Sequence, residues 1–287
     1  MELADNRLTE LLSAYDTFIL DNYLTLTSPE GSFYSGVETT LSLLAEQHKQ
    51  VVIFSNYPKS ASVCYQESYW QTWIAKGFHF YTSGGICQRL LSEQGYFSYF
   101  LFGCRPLPGM IFAPEITMAD FIYLDLPGLP LAFLQSDNLI RMAEFPELGF
   151  AAEITPFIPF LREAAKQNKP LYCGKPSLHD TMVIGSQKVI SNKVIMDYYR
   201  SLGGKVIEVG KPYLPAYEYI LRELPNPGRI LCVGDTLVTD VYGAANLKNA
   251  GENASSLLIL NGETSMDDLQ NSCIQPDYIL DSFGLIS

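Results

Sequence analysis

A small set of polar residues stands directly after short apolar runs, where side chains able to do chemistry would be held firmly. Asp21 follows Phe18-Ile19-Leu20, and Ser55-Asn56 follows Val51-Val52-Ile53-Phe54. Lys211 follows the run from Val206 to Val209, and Asp235 follows the run from Arg229 to Val233. Asp240 lies five residues beyond Asp235. Carboxylates gathered in one place repel unless a cation joins them, and a hard, oxygen-seeking ion such as Mg²⁺ suits this donor set better than zinc does. An aspartate after a strand also serves as a turn or helix-cap residue, so position alone decides little for Asp21. Gly234-Asp235-Thr236 followed by Thr239-Asp240 is more demanding, because two acids and two threonines crowd behind a single apolar run.

The surrounding sequence must bring these residues together. Apolar runs alternate with amphipathic stretches: Val37 to Gln47 places Val37, Leu41, Leu44 and Ala45 on one helical face, a second helix spans about Ser60 to Lys76, and a third runs from Ala216 to Glu223. Runs of this kind, ending with Leu257 to Leu260, predict an α/β fold with a doubly wound, Rossmann-like parallel sheet covered on both faces. Ligands bind outside the carboxyl ends of such strands, so the run-ending polar residues should share a crevice. The middle, from Tyr96 to Lys205, is richer in aromatics and irregular runs such as Pro127-Gly128-Leu129-Pro130, and includes a helix from Phe157 to Gln167. It reads as a large α/β unit, residues 96–205, inserted into a core made of residues 1–95 and 206–287.

The chain has 287 residues, 47% of them hydrophobic and 17% charged, which is enough for a real core and too little charge for disorder. Acidic residues outnumber basic ones 31 to 19, giving a net charge of −12 and arguing against a nucleic-acid partner. Six cysteines, at positions 64, 87, 104, 173, 232 and 273, show no CxxC pair and no zinc spacing, and read as reduced thiols of a cytoplasmic protein. The amino-terminal stretch has no signal-peptide pattern, and no apolar run approaches the ~20 residues of a membrane span. His48, His79 and His179 show no ligand spacing and read as surface or structural residues.

These motifs together resemble the haloacid dehalogenase (HAD)-like superfamily, in particular the subclass IIA phosphatases, which carry a large α/β cap between their second and third motifs. Val233 to Ala244 resembles the fourth motif, Gly210-Lys211-Pro212 with its helix the third, Phe54-Ser55-Asn56 the second and Ile19-Leu20-Asp21 the start of the first. Gly36 and Tyr81-Thr82-Ser83-Gly84 also sit where the subclass has similar residues. The resemblance implies a Mg²⁺-dependent phosphatase acting on a small phosphorylated metabolite such as a sugar phosphate. Asp21 would be the nucleophile and form an aspartyl-phosphate. Asp21, the backbone carbonyl of Tyr23, Asp235 and Asp240 would hold the metal. Ser55 and the amide of Asn56 would bind phosphoryl oxygens, and Lys211 would stabilise transition-state charge. A homo-oligomer stays open.

The first motif departs from the family at one consequential place. The pattern Asp-x-Asp-Gly is here Asp21-Asn22-Tyr23-Leu24, so Tyr23 stands in for the general acid and Leu24 for the glycine. A phenol, ordinarily ionising near ~10, is a poor proton donor and acceptor for this step at neutral pH. The alternative is therefore a weak or inactive phosphate- or metabolite-binding protein on a phosphatase scaffold. A second Gly-Lys-Pro, at Gly174-Lys175-Pro176, lies where the subclass has a cap loop facing the substrate, and Lys175 is assigned to substrate binding on that resemblance.

Overall fold

The computed structural model describes residues 2–57, 61–66, 68–103, 107, 109–125, 151–184 and 187–285. The run Pro127 to Pro130 and Cys104 lie outside them. In chain order the strands are β1 (Thr17–Leu20), β2 (Gln50–Ser55), β3 (His79–Thr82), β4 (Ser98–Phe102), β5 (Ile111–Phe112), β6 (Phe121–Leu124), β7 (Leu171–Cys173), β8 (Thr181–Ile184), β9 (Gln187–Ile190), β10 (Val206–Glu208), β11 (Ile230–Gly234), β12 (Ala254–Ile259) and β13 (Tyr278–Leu280). The helices are α1 (Glu2–Ala14), α2 (Val37–Glu46), α3 (Ala61–Cys64), α4 (Ser68–Ala75), α5 (Ser83–Glu93), α6 (Ile158–Lys166), α7 (Asn192–Ser201), α8 (Leu214–Glu223), α9 (Tyr242–Asn249) and α10 (Met266–Asn271).

The chain divides into two compact units, one of residues 1–55, 61–81 and 211–287, the other of 56–60 and 82–210. The first holds a six-stranded sheet in the order β13-β12-β11-β1-β2-β3. β1 is central and wholly buried, as its Phe-Ile-Leu run requires, and pairs parallel with β2 and β11. Leu20 stands level with Ile53 on one side and Val233 on the other, so the residues that follow all three strands emerge at one edge. Phe18 and Leu20 pack with Leu41, Leu44, Val51, Ile53 and Leu231 in one core, and each such side chain contributes ~1.5–3 kcal/mol by leaving water. Leu8, Leu11, Leu12 and Tyr15 join this core from α1 and the residue just past it, at helical spacing that the sequence reading did not use.

The second unit is a five-stranded sheet in the order β10-β7-β6-β4-β5, with every adjacent pair parallel, and an antiparallel hairpin of β8 and β9. Its core gathers Phe100, Phe102, Ile122, Leu161, Leu171, Ile195 and Tyr199. The Val206 strand, expected to serve the first sheet, pairs with β7 here, Val206 opposite Leu171. The division therefore falls near 81/82 and 210/211 rather than 95/96 and 205/206, and α5 goes with the second unit. The helix expected from Ser60 to Lys76 is two helices, α3 and α4. The first sheet also continues past β12 to β13.

Candidate active site

Asp21 leaves β1 with its amide still donating to the Val233 carbonyl (2.8 Å), so its backbone is tied into the sheet. The chain then turns sharply. The carbonyl of Asn22 accepts from the amides of Leu26 (2.9 Å) and Thr27 (3.0 Å), and the Leu24 amide donates to Thr27 (2.8 Å). Leu24 takes a left-handed backbone with φ +60°, the conformation for which glycine is ordinarily selected, at a cost of roughly 1–2 kcal/mol for a residue with a Cβ. The turn buries Thr25 completely and sets its hydroxyl 3.5 Å from Asp21 Oδ2 and 3.4 Å from Asp235 Oδ1. Thr25 was not singled out by sequence; its place four residues after Asp21 was the available signal.

Lys211 Nζ donates to Asp21 Oδ1 at 2.5 Å and to Asp240 Oδ1 at 2.7 Å, and all three side chains are nearly or fully buried. The Lys211-Pro212 peptide is cis. Asp240 comes from a π-helical turn, Leu237–Val241, directly after β11. Its Oδ2 accepts from the Thr236 amide (3.3 Å) and the Thr239 hydroxyl (3.2 Å), so both threonines of the Gly-Asp-Thr-x-x-Thr-Asp run orient a carboxylate. Gly234 makes this approach possible, because a Cβ there would overlap the Asp240 carboxylate.

Asp21, Asp235 and Asp240 each present one carboxylate oxygen, and the three oxygens lie within 4.8 Å of one another. Burial pushes the Asp21 carboxyl up to about 7, opposed by the Lys211 ammonium and reinforced by Asp240. Burial also raises Asp235, against the hydrogen bond from Glu263. Burial alone would lower Lys211, but Asp21 and Asp240 hold its proton and raise it. Three oxygen donors at this spacing, in a setting that disfavours bare negative charge, fit a hard divalent cation.

Ser55 is half-buried at the carboxyl end of β2, and Tyr23 is 53% exposed beside the turn. Asn56 and Lys175 belong to the second unit. There Asn56 Oδ1 abuts Gly210, while Lys175 is exposed and its carbonyl accepts from Asn192 Nδ2 at 2.8 Å. His48, His79 and His179 are exposed. The cysteines among the described residues are free thiols, and burial raises the pKa values of Cys87, Cys173 and Cys232. No helix among the described residues is long and apolar enough to cross a membrane.

Residues 208–285 match the family model described as HAD-hydrolase-like. No curated protein matches the chain. Among solved structures, it is similar to 4-nitrophenylphosphatase from Thermotoga maritima, at 24% identity and TM-score 0.64 over 96% of this chain and 97% of that one. It is similar to NagD from Escherichia coli K-12, at 17% identity and TM-score 0.61, covering 95% and 98% of the two chains. A glycerol phosphate phosphatase from Mycobacterium tuberculosis in complex with calcium gives 17% identity and TM-score 0.61, covering 96% and 75%. These likenesses show that the chain has the fold of those phosphatase structures, and the family-model match falls on the segment that carries Lys211, Asp235 and Asp240.

Proposed function

We propose that the protein is a divalent-metal-dependent phosphatase acting on a small phosphate monoester through an aspartyl-phosphate on Asp21. One observation carries this reading: three carboxylates converge at the edge of a parallel sheet, two of them paired with the buried Lys211. The likeness to structures named as phosphatases supports the reaction class, and a relative held in complex with calcium and with magnesium supports the ion.

Asp21, Asp235, Asp240 and the Tyr23 carbonyl would hold the ion. When bound, it supplies positive charge that offsets the repulsion between an anionic nucleophile and an anionic ester. Asp21 attacks phosphorus and the ester oxygen leaves, splitting one hard displacement into two easier ones; water then releases phosphate and restores the carboxylate. Lys211, fixed between Asp21 and Asp240, supplies charge where it builds on the phosphoryl oxygens. Ser55 donates its hydroxyl to the same group.

The second reading, a binding protein with little turnover, is favoured only by Tyr23, since a phenol replaces the carboxylic acid. Assay against a panel of phosphate esters, with Mg²⁺ or with EDTA, separates the two. Release of phosphate that needs Mg²⁺ and vanishes in Asp21→Asn is the expected outcome; ester binding without release, equal in both proteins, would favour the second reading.

A further inference from the structure

Asp235 is gripped by a part of the chain that no motif marks. After β12 the chain runs Leu260-Asn261-Gly262-Glu263-Thr264 across the Asp235 side chain. The Glu263 amide donates to Asp235 Oδ2 at 2.8 Å. Gly262 lies so near that a Cβ on it would overlap the Asp235 carboxylate. The Thr264 amide donates to the Asp235 carbonyl at 3.3 Å, and Thr264 Oγ1 accepts from the Leu237 amide at 3.4 Å, which stitches the loop to the π-helical turn bearing Asp240. Thr264 is buried.

The two oxygens of Asp235 thereby receive different neighbours. Oδ2 takes the loop amide. Oδ1 faces the hydroxyls of Thr25 (3.4 Å) and Thr236 (3.3 Å), and Thr25 is the residue that also reaches Asp21 Oδ2. A carboxylate has room for several acceptor contacts, so a fixed donor on one oxygen sets the rotation of the group without using up the other. We infer that Gly262, the Glu263 amide and Thr264 form a positioning loop that turns Asp235 Oδ1 toward Asp21 and presents it as a metal ligand. Gly262 is required for the close approach, Glu263 acts through its backbone, and Thr264 fixes the loop to β11 and the turn after it. The inference rests on the metal site proposed above.

The test is Mg²⁺ titration by calorimetry on the full-length protein, with thermal melts in EDTA as the record of folding. Removing support behind a metal ligand typically lowers affinity ~10–100-fold. Gly262→Ala should weaken Mg²⁺ binding by that factor while its melt in EDTA stays within a few degrees of wild type. Because an added methyl can also disturb the fold, Thr264 supplies an independent pair. Thr264→Ala should weaken Mg²⁺ binding, and Thr264→Ser, which keeps the hydroxyl, should restore it. Wild-type affinity in both Gly262→Ala and Thr264→Ala would overturn the positioning role and leave the metal site standing. No Mg²⁺ binding by the wild-type protein would overturn the metal site itself, and with it this inference.

Discussion

Tyr23 is the residue on which the proposed chemistry turns. If the protein is the phosphatase proposed above, a phenol stands where the family it resembles has a carboxylic acid, so an alkyl leaving group would lack that acid to protonate it, whereas an aryl phosphate would leave as a stable anion. General acid catalysis contributes typically ~10²–10⁴-fold. Wild-type kcat/KM should therefore favour an aryl over an alkyl phosphate by about that factor, and Tyr23→Asp should recover part of the alkyl rate. Paired assays with Asp21→Asn as the blank decide it; equal wild-type rates on both esters would show that another group supplies the proton. The two Gly-Lys-Pro lysines should also separate in steady-state kinetics. Lys211 is buried against two carboxylates and, in the proposed mechanism, would act on transition-state charge, so Lys211→Ala should abolish turnover, while Lys175→Ala should mainly raise KM. The reverse pattern would mean the two roles are exchanged. Asp21 and Asp235 were legible in the sequence because each ends an apolar run, and in a parallel sheet such ends fall along one edge. The left-handed Leu24 and the Gly262 loop were not, since one is a backbone conformation hidden under a leucine and the other works through an amide that every residue has.

At the scale of elements, the start of β4 is bound to the start of β6 through one side chain. Asp120 Oδ2 accepts from the amides of Phe97 and Ser98, both at 2.8 Å, and from the Ser98 hydroxyl at 3.0 Å. The Phe97 amide leads in holding its carboxyl below the usual carboxylate value. A depressed folded-state pKa contributes stability above the unfolded value of ~3.9, and that stability is lost as pH falls through the folded one. Asp120→Asn should be less stable than wild type by about 1 kcal/mol at pH 7, and the gap should close as the pH is lowered below ~4. Denaturant melts across that range check it; a gap independent of pH would assign the loss to packing instead. Elements were read less evenly than residues. α2 matched its expected face because its apolar periodicity is self-contained. The Val206 strand was given to the wrong sheet because a short apolar run carries no record of its partner, and Leu171 lies more than thirty residues earlier in the chain.

Each unit has its own main core among the described residues, around Phe18 and Leu41 in one and around Phe102 and Leu161 in the other, and Leu237, Val241, Leu258 and Leu269 form a smaller cluster in the first. Leu161 is fully buried, so Leu161→Ala should cost ~2–5 kcal/mol. Amide exchange should then quicken first in β4, β6 and β7 while β1 and β11 keep their protection; uniform loss across both sheets would show a single cooperative unit. The two units also differ in how they can be made. The second is nearly continuous in sequence, but the first closes only when β1 meets β11, as when the Thr17 hydroxyl reaches the Pro227 carbonyl 210 residues later. At ~5–20 residues per second, a ribosome needs roughly 10–40 s to deliver that partner. During that interval the second unit can finish folding, while the Thr-Phe-Ile-Leu strand of the first waits with one edge unpaired. Newly made chains are thus most exposed to aggregation, and most dependent on chaperones, before the segment carrying Asp235 has emerged.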